Sequence, residues 1–247
     1  MTSPTAEPIV APPAKTPASR WEDFLDIFYS PTSVYERRAN DSPWPTIFIV
    51  TVLITLVTVL TFNAVSPVVE TELRQQFAKA AQKTPQITQD IIDKQVSFGM
   101  LGKKYGVVFF PIGALIGALF IWIVARVVGA KETYQGALVA IAYSSIIVVV
   151  QAIVVGAQGL VMNVSNLTSM DQLSLSAARF ADKATMSPAL YAVLKQIDVF
   201  GIWALVVTAI GVRVTAKTTR ERAIAYAVVW WLLVVAITVA FALRQAA

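Results

Sequence analysis

"TIFIVTVLITLVTVLTFNAVS", Thr46 to Ser66, carries no charged side chain along its whole length. An α-helix rises about 1.5 Å per residue, so a stretch of this length matches the roughly 30 Å hydrocarbon layer of a bilayer. Four more stretches read the same way: Tyr105–Val127, Tyr134–Gly156, Ile197–Thr215 and Ala223–Leu243. Lipid cannot satisfy open backbone groups, and the alternation of a barrel strand is absent, which leaves helices. The expected fold is all-α: a polytopic membrane helical bundle with five transmembrane helices.

Composition agrees. Of 247 residues, 56% are hydrophobic and 14% charged, whereas a soluble domain carries about 25% charged residues. The net charge of +5 comes without a basic block interleaved with aromatics, so no nucleic-acid partner is expected. With no Cys and no His, disulfides, thiol chemistry and imidazole proton transfer are excluded. Neither a Ser–His pair, a di-Asp pair, a zinc-ligand set nor a phosphate-binding Gly-Lys loop occurs, and Ser144-Ser145 has no base in view. The chain is therefore not expected to be an enzyme, and no cofactor or metal is expected.

Outward from the spans, 1–19 is rich in Pro, Ala and Thr and reads as a disordered tail. Spans two and three, and spans four and five, are joined by short basic links, "VGAKE" and "AKTTRER". Each pair is expected to form an antiparallel hairpin. The other joints, 67–104 and 157–196, are long. The first has a stripe Val69, Leu73, Phe77, Ala80 and then a start signal Thr84-Pro85; the second has the start signal Ser187-Pro188. Basic residues tie between the two sides of the membrane, but Arg126, Lys131, Arg213, Lys217, Arg220 and Arg222 crowd the short links. That density places the N-terminus in the cytoplasm and the C-terminus outside.

Residues 20–45 precede the first span. Trp21, Phe24, Leu25 and Phe28 follow i, i+3, i+4, i+7, the face of an amphipathic helix. Ser30-Pro31 restarts a helix in which Val34 and Tyr35 are expected to face lipid and Arg37-Arg38 the headgroups, before Pro43-Trp44-Pro45 ends it. This reads as an in-plane pair of interfacial helices that anchors span one or docks a cytoplasmic protein partner through Trp21, Phe24, Phe28, Arg37 and Arg38.

Polar residues at membrane depth are few: Asp198, Gln151 and Asn63. Amides there usually bond between helices. Asp198 is expected to cap span four, pair with Lys195 or, less favourably for a lone carboxylate, ligate an ion. Gly113 and Gly117, with Ala114 and Ala118, form a small-residue seam expected to pack within one chain. Arg126 and Arg213 lie near span ends, where their stems can snorkel.

Three stretches, "WEDFLDIFYSPTSVYERR", "GAKETYQGALVAIAYSS" and "IDVFGIWALVVTAIGVRVTAKTTRERA", together with the five-span layout, resemble the Yip (Ypt-interacting protein) family in its prokaryotic branch. The resemblance makes 46–243 a Yip-like membrane domain and implies a cytosolic N-terminus and no enzymatic activity. Eukaryotic relatives bind prenylated Rab-type GTPases. This chain lacks their Asp-Leu-Tyr-Gly-Pro type motif, so GTPase binding is not carried over. The function expected is a membrane scaffold or adaptor in the bacterial inner membrane; the alternative is a transporter or channel subunit.

Overall fold

The computed structural model describes residues 19–83, 87–183 and 185–246. The expected tail, apart from Ser19, and the Thr84-Pro85 start signal lie outside them. Ten α-helices carry the described chain: α1 (Arg20–Tyr29), α2 (Pro31–Arg38), α3 (Trp44–Lys83), α4 (Gln89–Tyr105), α5 (Phe110–Val127), α6 (Tyr134–Ser144), α7 (Ile146–Val161), α8 (Pro188–Gln196), α9 (Val199–Thr215) and α10 (Arg220–Ala246). The fold is an all-α membrane bundle, without strands among the described residues.

Four helical stretches are long and apolar enough to cross a membrane: Trp44–Gln82, Gln89–Val127, Tyr134–Val161 and Arg220–Gln245. The fifth apolar helix, α9, is shorter, at 17 residues. Around them the outer surface is apolar, as lipid requires; α10 alone exposes Ile224, Val228, Leu232, Ile237 and Phe241.

Span one does not end at Ser66. α3 runs for 40 residues with Pro67 inside it. Proline removes the N–H that would have bonded the Asn63 carbonyl, and the Ser66 hydroxyl donates to that carbonyl instead, at 3.1 Å. At about 1.5 Å per residue α3 is roughly 60 Å long, twice the hydrocarbon thickness. Its excess pairs with α4 as an antiparallel hairpin, tied by Arg74 to Asp93 at 2.7 Å. Val69 and Leu73 of the expected stripe are buried there with Ile92 and Val96.

Span three is interrupted, and a separate short helix precedes span four. The Ser145 hydroxyl donates to the Ile141 carbonyl at 2.6 Å, the kind of back-bonding that bends a helix, and α6 gives way to α7 there. The Ser144-Ser145 pair is thus a joint. Ile197-Asp198, where span four begins, separate that helix, α8, from α9. The opened backbone is satisfied by residues 175–177, with Ala177 N–H donating to the Ile197 carbonyl at 2.9 Å and Val199 N–H to that of Leu175 at 3.3 Å. The Trp231 indole donates to the Gln196 carbonyl at 3.3 Å. Ser187 caps α8 as its sequence indicates, accepting from Leu190 N–H at 3.3 Å.

One end of the bundle, the proximal end, gathers α1, α2 and both short links. Gln135 Nε2 donates to the Asp41 carbonyl at 3.0 Å, and a Cβ at Gly129 would lie 3.7 Å from Arg222 Nε. The turns need left-handed backbone, at Gly129 (φ 81) and Lys217 (φ 48). The long joints close the opposite, distal end, where Lys195 pairs with Asp171 at 3.0 Å.

Candidate functional site at the proximal end

α1 starts from a capping box: Glu22 N–H donates to Ser19 Oγ at 3.2 Å, and Ser19 N–H to Glu22 Oε2 at 2.9 Å. Pro31 opens α2 at its first turn, where a missing N–H costs nothing. The two helices fold back on each other as a hairpin, and three contacts fix how it sits. Phe28 meets Trp203 edge-on, with centroids 5.2 Å apart. A Cβ at Gly211 would lie 2.8 Å from the Tyr35 ring. Tyr35 Oη donates to the Ala140 carbonyl at 3.0 Å. Trp203 lies eight residues before Gly211 on α9, about 12 Å along the helix axis. The hairpin therefore lies lengthwise against α6 and α9, with its tip pointing toward the distal end.

This corrects three sequence expectations. The helix pair, expected to lie in the membrane plane, is docked along α9 instead. Val34 and Tyr35, expected to face lipid, are fully buried, because Gly211 and Ala140 leave a slot for the tyrosine ring. Arg37 and Arg38, expected among headgroups, turn instead to Asp23. Arg37 Nη2 reaches Asp23 Oδ1 at 2.7 Å, Arg38 Nε reaches Asp23 Oδ2 at 2.6 Å, and the Asp23 side chain is 0% exposed. Arg37 also pairs with Asp26 at 2.7 Å and Arg38 with Asp41 at 2.9 Å. Donating to Asp23 holds the Arg37 guanidinium above its ordinary range. A buried carboxylate is tolerable only when paired in this way, so the cluster locks α1, α2 and the lead-in to α3 together.

A second buried acid sits beneath it. Glu132, in the link between α5 and α6, is 0% exposed. It accepts from Thr215 Oγ1 at 2.7 Å and from Thr133 N–H at 2.8 Å. Burial pushes its carboxyl above the ordinary range, and these two bonds only partly offset that. Arg126 donates to the Glu132 carbonyl at 3.2 Å and stacks on Trp122 at 5.1 Å, the structural part expected of it. Gly136 gives this carboxylate room, since a Cβ there would strike Glu132 Oε1 and lie 2.9 Å from Thr215 Cβ.

The docked hairpin divides the expected apolar face. Phe24 and Ile27 are buried, and Phe28 packs on Trp203. Trp21, Leu25 and Tyr29 stay 63%, 61% and 78% exposed. These three fall at i, i+4 and i+8, one outward stripe of apolar rings and branches on a helix whose other side is fixed.

The intramembrane polar residues separate. Gln151 Nε2 approaches Asp198 Oδ1 at 3.4 Å, while Asn63 lies apart on α3 and faces outward. Asp198 Oδ1 caps α9, accepting from Gly201 N–H at 2.8 Å, and Lys195 is taken by Asp171. The small-residue seam also divides. Gly117, Ala114 and Ala118 face the bundle, with Ile141 against Gly117, whereas a Cβ at Gly113 would meet nothing within 4 Å. Gly113 is therefore not part of the internal seam. Closer approaches go unmarked by that pattern: Gly156 and Gly159 of α7 let α3 in against Thr61 and Val65.

Asp23, Glu132, Gly136 and Gly211 are the residues that sequence reasoning missed. A signal existed, for they fall within the three stretches quoted above, and those stretches converge at this end. The Yip1 domain family model matches residues 25–241. No curated protein and no solved structure matches the chain. By that match across most of its length, the chain belongs to the Yip family of membrane proteins.

Proposed function

We propose that this protein is a non-catalytic scaffold or adaptor, which recruits a protein partner lying in the same membrane through the outward stripe Trp21, Leu25 and Tyr29. The observation that carries the reading is the exposure of that stripe on a helix whose opposite side is packed. The far side of α1 is held by the Asp23 ion pairs and by Phe28 on Trp203. Large, preorganised apolar side chains on a fixed helix lose little entropy on binding. Because the hairpin lies alongside α9, the stripe stands beside a membrane helix, and it suits an apolar helical partner. Phe24, Phe28, Arg37 and Arg38 serve the docking indirectly, by holding α1 in place.

The test is a photo-reactive residue at Tyr29 in cells, with and without Leu25→Ala. A discrete protein adduct that Leu25→Ala weakens supports the reading; adducts with lipid alone contradict it. We place the protein in a bacterial inner membrane with the proximal end in the cytoplasm, on the density of Arg and Lys in its short links. A C-terminal alkaline-phosphatase fusion is then active and one at 128–133 inactive.

A transport role is the second reading. It is favoured by the start of span four, where Asp198 Oδ2 is buried without a hydrogen-bond partner among the described residues. Cation flux into liposomes that Asp198→Asn abolishes would carry it. Against it stand the outward Asn63 and the cap that occupies Asp198 Oδ1.

A further inference from the structure

A groove of about 260 Å³ opens at the distal end between α3, α7 and the end of α4, lined by Thr61, Phe62, Val65, Val155, Gly156 and Lys103 among others. Its walls are apolar, and none of its lining residues is acidic. Lys103 is exposed at its rim. The next residue, Lys104, lies 5.6 Å from the centroid of the Phe62 ring and 5.4 Å from that of Tyr105. Among the described residues neither lysine forms a salt bridge. Glu72 is engaged elsewhere: it accepts from Met170 N–H at 3.3 Å and pairs with Lys183 at 3.6 Å.

Depth along the helices fixes what this groove faces. Phe62 lies 18 residues after Trp44 and Lys104 lies 22 before Arg126, distances of about 27 Å and about 33 Å from proximal residues that mark the other membrane surface. With a hydrocarbon layer of roughly 30 Å, the groove floor sits in the acyl region and the lysines sit at the distal headgroup level. Aromatic rings beneath one ammonium hold it there without neutralising it. An apolar slot in the acyl region, rimmed by two cations without acid partners, has the shape and charge of a lipid site rather than of a soluble-ligand site.

We propose that this groove holds one acyl chain of an anionic phospholipid of the distal leaflet, with the phosphate-bearing headgroup on Lys103 and Lys104. The site is independent of the proximal hairpin. It is tested on the full-length detergent-solubilised protein by native mass spectrometry, with phosphatidylglycerol and phosphatidylcholine of identical chains. Each lysine near a headgroup is worth about fivefold in preference for anionic lipid. Wild type is expected to retain phosphatidylglycerol at least fivefold over phosphatidylcholine. Lys103→Gln with Lys104→Gln is expected to bring that ratio close to one while leaving phosphatidylcholine retention unchanged. Ala152 also lines the groove, and Ala152→Leu, which fills it and leaves the charges, is expected to lower retention of both lipids. Equal retention by wild type, an unchanged ratio in the lysine variant, or displacement of the lipid by inorganic phosphate would overturn the proposal.

Discussion

Replacing Asp23 by Ala strips the shared partner from two guanidinium groups. Removing one member of a buried ion pair costs about 3–5 kcal/mol when the remaining charge has nowhere to go. Here it has somewhere to go. The side chains of Arg37 and Arg38 keep 32% and 13% of their exposure, and each retains a second carboxylate, Asp26 or Asp41. We therefore expect the low end, about 3 kcal/mol, lost from docking of the hairpin rather than from the whole bundle. Hydrogen exchange of the intact protein in nanodiscs reads this directly. A loss of about 3 kcal/mol accelerates exchange at Val34 and Tyr35 by roughly two orders of magnitude, while α7 and α10 stay at wild-type rates. Arg38→Gln is expected to cost less in the Asp23→Ala chain than in wild type, because the two residues share one ion pair, a coupling of about 1 kcal/mol or more. Exchange at α2 within about threefold of wild type, some 0.6 kcal/mol, would refute the reasoning.

Gly211→Ala drives a methyl into the Tyr35 ring and the Ala140 methyl and is expected to cost about 1–3 kcal/mol in unfolding from mixed micelles. Gly113→Ala, with open space around it, is expected to be neutral or to stabilise by up to about 1 kcal/mol. Glu132 binds its proton more tightly folded than unfolded, so its contribution is most favourable below the unfolded value of 4.5. It is lost as pH rises from there through the raised folded value. Thermal midpoints of wild type are expected to fall relative to Glu132→Gln over that rise, and a relative gain would contradict the burial argument. Asp198→Asn keeps the acceptor that caps α9 and is expected to change stability by no more than about 0.5 kcal/mol, whereas Asp198→Ala loses about 1 kcal/mol.

Legibility followed the physics of each signal. The spans were plain because lipid demands long uncharged stretches, and Thr46–Ser66 and Tyr134–Gly156 leave no other reading. Ser187 capping α8 and Asp198 capping α9 were readable because a cap is set by residues close in sequence. The continuity of α3 through Pro67 was not, since a proline ordinarily marks a helix end, and here the Ser66 hydroxyl takes up the carbonyl that Pro67 leaves without its N–H. The direction of Val34 and Tyr35 was also hidden. Lipid and the interior of a membrane bundle are equally apolar, so a hydrophobic face cannot declare which of them it meets. What decides is a slot built by Gly211 and Ala140, far away in sequence, and a carboxylate, Asp23, whose arginine partners follow 14 and 15 positions later. Glu132 looked like one more charge in a basic link until Thr215 came to it from another helix.

The account stands on the N-terminal hairpin being latched to the end of the bundle formed by both short links. The chain has no cysteine, so a pair placed at Phe28 in the hairpin and Trp203 on α9, whose rings meet with centroids 5.2 Å apart, can be joined in native membranes by a short bismaleimide. Rapid, near-complete intramolecular linkage, lost when Asp23→Ala is added, is the predicted result. Single-site labelling of both cysteines without linkage would show the hairpin lying away from the bundle, and would contradict the account.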